Sequence, residues 1–355
     1  MQCCNVLLGK TSDILKKGSG KLRKYNVSNK DLLMFLVITF GLTALMGFAM
    51  SIIYPTNSVG AFPLVQMFYP ALGVMGALLL NKNSRNNVPK KFFITFIAFA
   101  TLSIAYILIK LFVFKLDPES DLGIILFITS WSLIVAYSSD KREMTEEFGL
   151  SFGKNFKVSF RYIGLFILLY LLGLLISSLV QDDFKGFITP FITPEKWGRV
   201  LLLPLSFLFS YPVFLGEEYG WRYFLQPALQ ERLGKRKGIL LLGLIWGIWH
   251  LPINIFYYSS ETSLYSVLNQ LIICTGYSIF FGYVYMKTGN IWTISIIHFL
   301  NNNLGAVLYG GTGENLVFSW EAILFNLVLF SIIYGPFLLT DVYKNSTAIE
   351  DKKTE

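Results

Sequence analysis

VLLLPLSFLFSYPVFLGEEYGWR, residues 200–222, is the stretch on which the reading of the fold turns. Its opening run, residues 200–215, is apolar and free of charge, and reads as a membrane span. The run ends in Glu217, Glu218 and Arg222. Two adjacent carboxylates at the end of a hydrophobic helix are costly to keep there, and ionisable groups at membrane depth mark a functional site by default. Two more polar insertions interrupt apolar runs downstream: Trp246-Gly-Ile-Trp-His250 and His298-Phe-Leu-Asn-Asn302. The chain has 2 histidines, and each falls in one of these insertions. Glu217, Glu218, Arg222, His250, His298 and Asn302 are therefore read together as one candidate active site.

Composition supports a membrane reading for the whole chain. Of 355 residues, 54% are hydrophobic and 15% charged, with a mean hydropathy of +0.55. Soluble domains carry about 25% charged residues. The net charge of +8 is not a nucleic-acid signal. The Lys and Arg cluster in short segments between apolar runs, where the positive-inside rule puts them. The 3 cysteines specify neither a disulfide framework nor a zinc knuckle. Cys274 lies in an apolar run; Cys3 and Cys4 lie beside a basic tail, with no motif specifying their acylation. The first apolar run lacks a small-residue cleavage site and reads as a retained span.

Working outward, the hydropathy predicts an all-α polytopic membrane protein of about ten spans. They cover residues 32–54, 61–80, 92–114, 122–138, 162–180, 200–215, 239–256, 266–286, 291–309 and 321–340. Residues 221–233 continue as helix after the sixth. The organisation is a basic tail (1–30), a helical domain (31–340) and a polar tail (341–355). Gly73 and Ala77, four apart, offer a small face for close helix packing. Lys110 lies near the end of its span and is expected to snorkel outward. Basic loops alternate with acidic or mixed ones, which predicts both termini in the cytoplasm of a multi-pass cell-membrane protein. No internal repeat is visible, so the inverted-repeat pattern of many transporters is not evident.

Helix arithmetic brings the three motifs to similar depth. His250 lies eleven residues past Ile239, about 16 Å in, and His298 seven past Ile291, about 10 Å in. Glu217 approaches from the other side, seventeen residues past Val200. The expectation is a cavity open to the cytoplasm. Glu218 and Arg222 are four apart and can pair on one helix face. Glu217 is turned about 100° away, free for another partner. A carboxylate in a low-dielectric cavity beside His suits a general base that deprotonates water, and an Asn amide near His suits an oxyanion site. Each feature alone has a plainer reading: a structural Glu–Arg pair, a packed histidine, packing tryptophans at 246 and 249. Glu146 and Glu147 serve as an internal control, lying in a polar loop as a solvated face. What favours a site is the coincidence of all the groups at compatible depths.

At these residues the chain resembles the CPBP family, which comprises CAAX proteases and bacteriocin-processing enzymes and is also called the Abi or type II CAAX prenyl endopeptidase family. Its Glu-Glu-x-x-x-Arg, aromatic-x-x-x-His and His-x-x-x-Asn/Asp motifs read here as Glu217 to Arg222, Trp246 to His250 and His298 to Asn302, in order. Trp246 stands where Phe is common. The resemblance covers about residues 200–305, and the first 150 residues carry none of its motifs. It implies an eight-helix-type core and an intramembrane endopeptidase of glutamate type acting near the cytoplasmic face. In that scheme Glu217 activates water with His250, His298 and Asn302 form the oxyanion site, and Glu218 and Arg222 support them. The expected cofactor is none; the alternative is Zn²⁺ on Glu217, His250 and His298, although no His-Glu-x-x-His helix is present. Partners expected are a peptide or protein substrate, lipidated or not, and membrane lipid, but no nucleic acid. The functional alternative is a non-catalytic scaffold, immunity factor or transporter that uses the same polar cluster for binding.

Overall fold

Inside lipid a chain segment must satisfy its own N–H and C=O groups, and a lone apolar run does so only as a helix. The structure is a computed structural model and describes residues 27–54, 56–311 and 313–344. The expectations for residues 1–26, with Cys3 and Cys4, and for 345–355 lie outside the described residues. The long helices are α1 (Asn29–Ile53), α2 (Ala61–Leu80), α3 (Lys90–Phe114), α4 (Glu119–Ser139), α5 (Phe156–Val180), α6 (Pro194–Leu233), α7 (Lys235–Trp249), α8 (Ser263–Thr288), α9 (Ile291–Tyr309) and α10 (Trp320–Leu339). Among the described residues nine helices are long and apolar enough to cross a membrane, and α7 with its bent continuation Leu251–Tyr258 brings the number to ten. No strand occurs among the described residues. The protein is an all-α polytopic membrane protein.

Local chemistry sets the helix starts. Ser28 caps α1, its Oγ accepting from Asp31 N at 3.1 Å, while Asp31 Oδ2 accepts from Ser28 N at 3.0 Å. This is the reciprocal capping box. Asn290 opens α9 by accepting from Trp292 N at 2.9 Å, and Pro194 begins α6, where a missing N–H costs nothing. The small face expected on α2 is used: a Cβ on Gly73 would stand 2.9 Å from Phe35 O in α1.

Hydrogen bonds tie the helix ends into two layers. In the near layer, where the described chain enters and leaves, Arg232 Nη2 donates to Val27 O (3.1 Å), Asn155 Nδ2 to Thr288 O (2.7 Å) and Arg236 Nε to Leu338 O (2.9 Å). In the far layer Tyr309 Oη donates to Phe187 O (3.3 Å) and Leu316 N to Tyr258 O (2.7 Å). α6 packs against α4, α7 and α9, and α7 also packs against α8. These contacts bring the three motif-bearing helices together.

Two features differ from the sequence reading. The sixth span does not stop at Leu215; α6 runs 40 residues, so the carboxylates sit within a rod and not at its end. A π-helical stretch at Tyr219–Leu225 joins its two α-helical parts, and the 221–233 helix expected after the motif is its second half. The seventh span is not continuous: α7 ends at Trp249 and the chain bends by 48°. Pro252, which cannot donate to the ladder, sits just past the break. Near the far end of α3, Lys110 forms an ion pair with Asp121 in the first turn of α4, which Tyr106 Oη also contacts.

Candidate active site

The π-helical stretch is where the site begins. Its wider turns follow directly on Glu218 and carry Arg222, the kind of local irregularity found at functional sites. Glu217, Glu218 and Arg222 are 2%, 0% and 0% exposed. A charge buried to this extent must be paired, and Glu218 is paired twice. Its Oε2 accepts from Arg222 Nε at 2.8 Å, and its Oε1 faces His298 Nδ1 at 2.8 Å. A carboxylate oxygen only accepts, so Nδ1 of His298 carries a proton and points Nε2 elsewhere. Arg222 also donates to Ser278 Oγ of α8 at 3.3 Å. Its guanidinium lies over the Trp246 ring at 4.8 Å and the Phe281 ring at 5.4 Å. Arg222 Nη2 has no hydrogen-bond partner among the described residues.

Glu217 has a different partner. Trp246 Nε1 donates to its Oε1 in a short hydrogen bond. The sequence reading took Trp246 for a packing aromatic; it is a polar contact to the candidate base. The signal was present: Trp has an N–H, and the Phe common at that motif position has none. His250, at the end of α7, sets its Nδ1 2.8 Å from Trp246 O. A carbonyl oxygen cannot donate, so this nitrogen carries a proton, and a neutral His250 offers Nε2 as an acceptor. Asn254 Nδ2 donates to His250 O at 3.0 Å and Asn254 Oδ1 accepts from Ser266 Oγ at 2.7 Å, fixing the bend below the histidine.

Glu217, His250, His298 and Asn302 all line one chamber of about 370 Å³. Asn301, Gln270, Cys274, Tyr257 and Tyr258 line it too, and the sequence reading named none of these as site residues. Asn302 is exposed, and its Oδ1 accepts from Asn301 Nδ2 at 3.0 Å. Five of the six residues expected at the site interlock through contacts of α6, α7 and α9; Asn302 stands at the chamber wall one turn beyond His298. Glu218 and Arg222 stay behind the wall. Glu146 and Glu147 lie in the short helix Arg142–Glu147, where Glu146 pairs with the exposed Arg142 at 2.8 Å.

The chamber reaches one end of the helix bundle. Its lining runs to Gly60, Tyr257 and Tyr258, all at the far layer. Among the described residues no three His, Cys, Asp or Glu side chains converge to hold a metal ion, Glu217, His250 and His298 included.

Residues 196–304 match the family model of the type II CAAX prenyl endopeptidases, Rce1-like. The match contains all six expected site residues and covers the segment on which the three motifs lie. No curated protein matches the chain.

Proposed function

With residues 196–304 matching the Rce1-like type II CAAX prenyl endopeptidases, we propose that this multi-pass membrane protein is an endopeptidase that hydrolyses a peptide bond in the chamber. Glu217 is the general base. Its Oε1 is held by Trp246, and Oε2 takes a proton from water, aided by the free Nε2 of His250. The hydroxide attacks the scissile carbonyl carbon, and its π electrons move to the oxygen. His298, protonated on both nitrogens, gives Nδ1–H to Glu218 and Nε2–H to that oxyanion. Asn302 adds its Nδ2–H, since its Oδ1 is already engaged. The C–N bond then breaks as Glu217 returns the proton to the amine, giving one acid and one amine product.

The observation that carries this reading is the division of labour between adjacent glutamates. Glu218 is saturated by Arg222 and His298, so Glu217 is the carboxylate left to face the chamber. No step runs through a metal. Turnover is expected to persist in excess chelator; loss restored by Zn²⁺ would overturn this part of the scheme.

The test is cleavage of a pooled peptide library by purified protein in nanodiscs, wild type beside Glu217→Gln. General acid–base groups contribute about 10²–10⁴-fold, so the variant should lose at least about a hundredfold in turnover. Equal cleavage by both would reject Glu217 as base. Cleavage by neither would favour a binding protein.

A further inference from the structure

The depth of the chamber wall can be read helix by helix. Gly60 immediately precedes α2, and Tyr257 and Tyr258 end the bent segment after α7, so all three belong to the far layer. On α9 the last lining residue, Asn303, is six residues from Tyr309 at the far end and twelve from Ile291 at the near end. That is about 9 Å against about 18 Å. On α8 the first lining residue, Gln270, is seven residues from the far end at Ser263. Glu217 and His298 form the floor.

Below that floor the described residues close the protein. Trp221, Arg222, Gln226 and Ala228 of α6 are 0% exposed. Gln226 Nε2 donates to Gly282 O at 3.2 Å, and Tyr343 Oη donates to Ile279 O at 2.6 Å. These contacts plug the route from Glu217 to the near layer.

Charge then assigns the layers to the two sides of a membrane. The three connections that border the mouth, residues 54–60, 259–262 and 310–319, contain no Lys or Arg, and the other two far-layer connections, 115–118 and 181–193, hold one each, Lys115 and Lys185. Near-layer connections 81–89 and 140–155 carry Lys82, Arg85, Lys141, Arg142 and Lys154, and Lys235, Arg236 and Lys237 open α7 on the same side. An excess of Lys and Arg in short loops marks the cytoplasmic side. We propose that the chamber opens on the non-cytoplasmic side, so that its peptide substrate is presented from outside the cytoplasm and meets Glu217 from the far layer. The word substrate rests on the endopeptidase reading; the sidedness of the opening does not.

The experiment is cysteine accessibility in the full chain with Cys3, Cys4 and Cys274 changed to serine. Tyr257→Cys and Asn303→Cys probe the chamber wall, Ser58→Cys the far layer and Lys237→Cys the near layer. A membrane-impermeant maleimide is applied to intact cells and to sealed inverted vesicles. Positions 58, 257 and 303 should label in intact cells, at least about tenfold above inverted vesicles, and position 237 should show the reverse. Labelling of 257 and 303 only in inverted vesicles would overturn the proposal, as would labelling of 237 in intact cells. Wild-type membrane levels of each variant establish folding, and two wall positions guard against one failed substitution. No step depends on turnover, so a protein sided this way but inactive in the Glu217→Gln comparison would reject the endopeptidase reading alone.

Discussion

Glu218 and Glu217 differ by one position and by nearly everything else. Glu218 lies in a buried network in which each member is tolerable only because of the others. Removing one partner of a buried ion pair costs about 3–5 kcal/mol, whereas replacing both partners with apolar groups is often neutral. Arg222→Met should therefore destabilise strongly, and Glu218→Gln with Arg222→Met should recover much of the loss, read as thermal unfolding in detergent. Both variants should be poor catalysts, because the Glu218 carboxylate that orients His298 loses its Arg222 anchor in the first and its charge in the second. Trp246→Phe is a finer test. It keeps a ring for the Arg222 guanidinium but removes the donor to Glu217 Oε1. Turnover should fall by about ten- to a hundredfold, a loss in line with that of one charge-assisted hydrogen bond, while the unfolding temperature stays close to wild type. At this scale the sequence made the Glu218–Arg222 pair legible, since four-residue spacing places both on one helix face. It could not reveal the contact of Glu218 with His298, which joins residues 80 positions apart.

Among the elements, α6 governs the site because it carries both glutamates and Arg222 through a π-helical stretch. It also passes extremely close to α2: a Cβ on Gly220 would stand 2.2 Å from Pro70 Cβ and 2.9 Å from Pro70 Cα. Backbone-level contacts cannot yield as a flexible side-chain tip can. Gly220→Ala should cost about 1–3 kcal/mol by overpacking and displace Arg222 two residues on, lowering both melting temperature and turnover. Spans were readable from hydropathy because the bilayer demands long apolar helices. The length of α6 was not, since its second half, with Gln226, Gln230, Glu231 and Arg232, looks soluble on composition alone. The break after His250 was foreshadowed by Pro252, yet an unbroken run of apolar letters outweighed it.

For the whole molecule, charge alternation made the two-layer arrangement legible, and helix counting brought the three motifs to one depth. The side on which the chamber opens was not legible, because it depends on which end the side chains plug, and Tyr343 and Gln226 do so from distant parts of the chain. The pairing of Lys110 with Asp121 also has a consequence for biogenesis. A charge on an isolated helix costs about 2.5–3.5 kcal/mol at the bilayer centre by insertion scales and less near a helix end, where Lys110 and Asp121 lie, on consecutive helices joined by a four-residue turn at 115–118. α3 and α4 therefore gain by leaving the translocon together as a hairpin, each masking the other's charge. Asp121→Asn alone should reduce the fraction of α3 inserted in a glycosylation-mapping assay, and Lys110→Met with Asp121→Asn should restore it.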